Sequence, residues 1–128
     1  MYNLEQCVFV TNNDRVALKF KDSAKEIIFL EEYRDVLIKS RDLIYSGYKL
    51  LTHPQASSLK PNQTPYRSIL LYNGKHILDE ESVMLIEKAI ENFDKWQDIR
   101  KTPEYDSKIA NDYKTIDLSM IENIIPKL

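Results

Sequence analysis

Short, unbroken apolar runs punctuate this chain, and two of them, Cys7-Val8-Phe9-Val10 and Ile27-Ile28-Phe29-Leu30, are rich in β-branched and aromatic residues. Continuous rather than alternating apolar character is what a strand covered on both faces requires, so both runs predict members of a buried central sheet. Between them the pattern is mixed. Val16, Leu18 and Phe20 alternate as in a strand, yet Asn12 or Asn13 offers a helix cap, and a short helix within Asp14 to Lys25 is the expectation. Further on, Tyr33, Val36, Leu37, Leu43 and Ile44 fall on one face of a helix that would run from Tyr33 to Ser46. Gly47 follows, and a residue free to take a left-handed conformation is the common end of such a helix.

Lys49 to Thr52 predicts a third strand. Tyr66 to Tyr72 and Lys75 to Leu78 flank Asn73-Gly74, the pair favoured in two-residue hairpin turns, and so predict an antiparallel hairpin. Asp79 caps the longest predicted helix, along which Val83, Ile86, Ala89, Ile90, Phe93, Trp96 and Ile99 trace one face. Thr102-Pro103 breaks it. Beyond the break, Ile109, Tyr113, Ile116, Ile121 and Ile125 predict one or two short helices that pack on the domain or on a neighbour. The expected architecture is a single small α/β domain: a mainly parallel sheet of four or five strands with one hairpin near Asn73-Gly74, flanked by helices in three layers. Residues 1–101 would form its body and 102–128 a C-terminal helical extension. The connections between the first three strands are long enough for the crossovers that parallel strands need, so Thr11-Asn12-Asn13, Glu31-Glu32 and Thr52-His53 should emerge at one sheet edge. That is the edge where open α/β sheets bind ligands.

Composition narrows the function classes. The 128 residues suffice for one core, and with 43% hydrophobic and 30% charged residues the chain sits in the globular range. Eighteen basic residues nearly balance 20 acidic ones, with no basic block, so nucleic acid is not an expected partner. No signal-like or membrane-spanning apolar stretch is present, and the lone Cys7 suits a reducing, cytoplasmic setting. Cys7 lies within an apolar strand, where a structural thiol is the plainer reading than a nucleophile. With only Gly47 and Gly74 in the chain, glycine-dependent nucleotide loops are excluded. His53, His76 and Cys7 lack the spacing of metal ligands, so neither a metal nor a cofactor is expected.

The candidate chemistry concentrates in His53 to Tyr66, a segment holding Pro54, Pro61 and Pro65 and no glycine. Proline restricts both itself and the residue before it, so such a loop loses less entropy in keeping one shape. Ser57, Ser58, Lys60, Asn62, Gln63, Thr64 and Tyr66 supply donors around a single ammonium charge, a set suited to an anion. Thr52, His53 and, from the first strand's end, Thr11, Asn12 and Asn13 would complete the ligand-binding site. His53 is also the one candidate acid/base. The plain alternatives are that His53 locks the junction, that the asparagines cap the next helix, and that the loop's polar groups satisfy its own turns.

Leu50-Leu51-Thr52-His53-Pro54, Lys60-Pro61-Asn62 and Thr64-Pro65-Tyr66-Arg67-Ser68, with Thr11-Asn12-Asn13, Tyr33, Asp35-Val36-Leu37 and Arg41-Asp42-Leu43-Ile44, resemble the GrdX family over roughly Val8 to Trp96. The sequence departs from that pattern at Asp14, where proline is expected, and at Gln55-Ala56-Ser57, where a glycine is expected. The resemblance implies a cellular setting, since members are encoded beside the glycine, sarcosine and betaine reductase components of amino-acid-fermenting clostridia. It carries over no catalytic residue. Three readings follow: an accessory protein binding a small anionic metabolite or a segment of a reductase-system partner; a small enzyme acting on an acyl or phosphoryl group with His53 as acid/base; and an interaction module or homodimer using the Trp96 helix and the C-terminal segment.

Overall fold

The computed structural model describes residues 2–54 and 59–128. Four strands, β1 (Cys7–Thr11), β2 (Glu26–Phe29), β3 (Tyr48–Leu50) and β4 (Ser68–Asn73), form one mixed sheet in the order β2-β1-β4-β3. The helices are α1 (Asp14–Phe20), α2 (Tyr33–Tyr45), α3 (Glu80–Ile99) and α4 (Ser107–Ile124).

The sheet alternates strictly in what each face buries. On one side Val10, Ile69, Leu71 and Leu50 pack with Val36, Leu37 and Ile44 of α2 and Ile86, Ala89, Ile90 and Phe93 of α3. On the other, Cys7, Phe9 and Leu70 meet Val16 and Phe20 of α1 and Ile121 of α4. The unbroken apolar run of β1 thus reflects two covered faces, all five of its residues being buried. β2 differs, because it is an edge strand: Ile27 and Ile28 are half-buried and Phe29 is 48% exposed.

Two expectations about the sheet are corrected. It is mostly antiparallel: β1 pairs parallel with β2, but β4 inserts between β1 and β3 and runs against both. The predicted strand at Lys75 to Leu78 does not form. With β1 on one edge of β4 and β3 on the other, no edge remains for a hairpin partner. The chain instead turns away just past β4, with Asn73 Oδ1 accepting from Lys75 N–H at 3.0 Å and Lys75 and His76 at φ of 61° and 67°.

Local signals explain the helix ends. Asn13 caps α1 by accepting from Arg15 N–H, and Asp79 caps α3 by accepting from Ser82 N–H. Ser82 also accepts from Leu50 N–H at 2.9 Å, tying α3 to β3. Gly47 ends α2 at φ 109°, and a Cβ there would lie 2.3 Å from His76 Cα. The C-terminal segment, expected as one or two short helices, is one 18-residue helix, α4, followed by a short 3-10 turn (Ile125–Lys127). No helix among the described residues is long and apolar enough to cross a membrane.

Candidate functional site

Because β4 opposes both β1 and β3, the first three strands point the same way although only β1 and β2 are parallel neighbours. Their carboxyl ends share one rim with the amino end of β4. Two inter-strand spacings, about 10 Å, separate β1 from β3 across this rim. The ends are also staggered: Thr11 pairs with Ser68, whereas β3 ends at Leu50 opposite Leu71.

Most rim groups predicted to face a ligand are buried and engaged within the fold. The Thr11 hydroxyl pairs with the Ser68 hydroxyl at 2.6 Å and accepts from Asn13 N–H at 2.9 Å. Asn12 imitates a strand, donating Nδ2–H to Pro65 O at 2.7 Å and accepting Arg67 N–H at 2.9 Å, which closes the end of the long loop onto β1. Asn13 reaches α4, donating to Lys114 O and to Asp117 Oδ2, each at 3.0 Å. Asp117 further accepts Ser68 N–H at 3.0 Å and the Ser68 hydroxyl at 2.6 Å. Thr52 accepts Leu70 N–H at 3.1 Å. Thr11, Asn12, Asn13, Thr52, Ser68 and Asp117 are all buried, so they form a polar latch fastening the loop and α4 to the sheet.

The loop's other candidates divide. Ser57 and Ser58 lie outside the described residues. His53 is exposed, just past Thr52. Thr64 is buried and its Oγ1 accepts Tyr66 N–H at 3.2 Å in a local turn. The half-buried Tyr66 ring lies under the Lys114 ammonium, 5.5 Å from its centroid. Lys60 and Asn62 stand elsewhere, against the carboxyl end of α3. Asn62 donates to the terminal carbonyls of Trp96 and Arg100 at 3.3 and 3.0 Å, and Gln97 donates to Pro61 O at 3.2 Å and to Thr102 at 2.9 Å. The loop, the end of α3 and the link to α4 are thereby held together.

This junction walls a recess of about 410 Å³ lined by Lys60, Asn62, Gln63, Trp96, Ile99, Arg100, Pro103, Tyr105 and Tyr113. The Lys60 ammonium sits 4.4 Å from the centre of the Trp96 ring. Tyr105 donates to Gln63 O at 2.7 Å and packs on Tyr113 with ring centres 5.0 Å apart. Burial, then its hydrogen bond to Tyr113, pushes the Tyr105 phenol up to about 12, so it is a neutral donor at physiological pH. A second recess of about 500 Å³ opens at the start of α2, between Tyr33, Pro65, Phe93 and Gln97. No group of three His, Cys, Asp or Glu side chains among the described residues is placed to hold a metal.

Asp117, Arg67 and Arg100 are among the polar residues that sequence reading missed, as are Ser68 of the latch and Gln97, Tyr105 and Tyr113 at the recess. Asp117 had a signal: with Tyr113 and Ile121 it keeps a four-residue spacing, which sets a carboxylate into the apolar stripe of α4. Arg67 stands two residues before Ile69, in register with a buried face of β4. Arg100 had none, since its place depends on how α3 ends.

Beyond the geometry, no curated protein and no solved structure matches this chain. A family model does, over residues 8–126, and so continues past Trp96 through α4. Apart from Cys7 at the start of β1, the matched segment spans the strands and helices that build the rim, the latch and both recesses, and on that match the chain belongs to the GrdX-like protein family.

Proposed function

We propose that this protein is a binding protein rather than a catalyst, taking a small anionic metabolite in the recess between the long loop and the junction of α3 with α4. One observation carries the reading: the recess lining holds two cations, Lys60 and Arg100, and three aromatic rings, but no carboxylate. In a chain of net charge −2, a wall of one sign is an uneven distribution that favours anions. Its volume suits a small molecule. Lys60 and Arg100 would take the anionic group, the Gln63 amide would orient it, and Trp96, Tyr105 and Tyr113 would cover its apolar part. The Asn62 and Gln97 hydrogen bonds hold these walls before a ligand arrives, which lowers the entropy lost on binding. His53 takes no part on this reading.

The family setting selects the panel: glycine, sarcosine, betaine, acetyl phosphate and inorganic phosphate, titrated calorimetrically into the full chain. Heat with at least one is expected, weakened tenfold or more in a Lys60→Ala/Arg100→Ala double variant and unchanged in His53→Ala. Absence of heat across the panel overturns the proposal.

A further inference from the structure

The two edges of the sheet are finished differently. At β3 the outward Leu50 N–H is taken by the Ser82 hydroxyl of α3 at 2.9 Å. The β2 edge has no such cover. Leu30 N–H donates to Thr11 O at 2.9 Å, so Ile28, two residues earlier, also turns its backbone groups towards β1, and those of Ile27 and Phe29 point out of the sheet. Among the described residues, none outside the sheet hydrogen-bonds to the backbone of either. A row of outward backbone groups is a template for another strand. The side chains along it are apolar: Ile27 and the 48% exposed Phe29 on the α1 and α4 side of the sheet, Ile28 and Leu30 on the α2 and α3 side.

Charge brackets this apolar stretch. Lys25 precedes it and Glu31 follows it, both exposed and neither in an ion pair among the described residues. Such an order is its own complement when reversed. If two copies meet about a twofold axis perpendicular to the sheet, only residues on the same face can oppose each other, so the antiparallel register centres on Ile27, Ile28 or Phe29. Centring on Phe29 sets Ile27 against Glu31 and Glu26 against Glu32 of the other copy. Centring on Ile27 sets Glu26 against Ile28 and leaves Lys25 opposite Phe29. Centring on Ile28 sets Ile28 against itself, Ile27 against Phe29 and Lys25 against Glu31, while the stem of Glu26 lies along Leu30. A parallel arrangement would put every charge opposite its like.

We propose that the β2 edge pairs with the β2 edge of a second copy of this chain, antiparallel and centred on Ile28, joining two four-stranded sheets into one. Ile27 and Phe29 of each copy exchange N–H···O bonds with Phe29 and Ile27 of the other, and Lys25 pairs with Glu31 at both ends. None of the residues lining the Lys60 recess takes part. Four residues make a short ladder, so the dimer is a concentration-dependent one.

Sedimentation equilibrium of the full chain tests the pairing. The apparent mass should rise with concentration from the 15.1 kDa of one chain towards twice that value. Lys25→Glu and Glu31→Lys should each weaken association at least about fivefold, and the double swap should restore it to within about twofold. Phe29→Pro, which removes an outward N–H from an edge strand, should abolish the dimer while the urea midpoint confirms a folded chain; if it does not fold, the charge swap decides. Ile28→Cys should form an intermolecular disulfide under mild oxidation, because its twin lies about 4.5 Å away between Cα atoms, whereas Phe29→Cys, diagonal to its own twin, should not. A mass that stays at one chain up to about 1 mM overturns the proposal. So does a dimer unmoved by the single charge reversals, which would use another face such as the Trp96 helix, and so does a double swap that fails to restore association.

Discussion

Asp117 is the residue through which α4 is fastened to the sheet, and truncating it to alanine tests that assignment. The carboxylate accepts from Ser68 N–H, the Ser68 hydroxyl and Asn13 Nδ2–H, and it is 6% exposed. Hydrogen bonds to a charged group contribute about 1.5–3 kcal/mol each, but part of the loss is recoverable. The Ser68 hydroxyl keeps Thr11, and Asn13 keeps Lys114 O. What cannot re-pair is the buried Ser68 N–H, an orphan costing about 1–3 kcal/mol. Adding the loss of one charge-assisted bond gives roughly 3 kcal/mol for Asp117→Ala, a large fraction of the ~5–15 kcal/mol that holds a domain together. Asp117→Asn keeps one acceptor oxygen and should cost less, roughly 1–2 kcal/mol. The exposed pair between Lys19 and Glu122 also links α4 to α1, but with side chains 48% and 40% exposed it should be worth less than ~1 kcal/mol, so Glu122→Ala serves as the control. Equilibrium unfolding in urea reads all three. A loss below ~1 kcal/mol for Asp117→Ala, or one no larger than that of Glu122→Ala, would refute the reasoning.

Gly47→Ala should destabilise by roughly 2–3 kcal/mol in the same assay, because φ of 109° strains any Cβ and the His76 backbone leaves no room for one. Cys7, 0% exposed and with burial pushing its thiol above the ordinary range, should resist an aromatic disulfide reagent at pH 8 in the native state and react promptly in denaturant. Prompt native labelling would place it outside the core. Asp94, Asp14 and Asp79 are held below the usual carboxylate range by hydrogen bonds from Arg34, Lys114 and Ser82 respectively. Folded values below unfolded ones mean that their contribution is present above the unfolded carboxylate value of about 3.9 and is lost as pH falls through the lowered folded values. Stability should therefore decline across that acid window, and Asp94→Asn or Asp79→Asn should make the decline shallower.

Much of the scaffold was readable because its signals are local. The apolar runs of β1 and the stripes of α2 and α3 report burial directly, while Asn13, Asp79 and Gly47 act within a few residues of the helix ends they define. The insertion of β4 between β1 and β3 is non-local and leaves no periodic trace; it turned an expected hairpin into a turn and a mainly parallel sheet into a mixed one. The shared direction of β1, β2 and β3 came through, since connection length constrains direction but not neighbour order. The site divided along the same line. Thr11, Asn12, Asn13 and Thr52 do reach the rim, yet their donors and acceptors are engaged by residues far away in sequence, Asn12 with Pro65 and Arg67, Asn13 with Lys114 and Asp117. No reading of their own segment shows such partners. Lys60 and Asn62 went to the end of α3 for a similar reason, drawn by the ring of Trp96 and the last carbonyls of that helix.

Trp96 is the chain's single tryptophan and it lines the Lys60 recess, so its emission reports on that site. Titrating the full chain with the anion that gives calorimetric heat should produce a saturable change in Trp96 emission with the same midpoint, abolished in Lys60→Ala/Arg100→Ala. Binding heat accompanied by an unmoved Trp96 emission would contradict the assignment of the ligand to this recess.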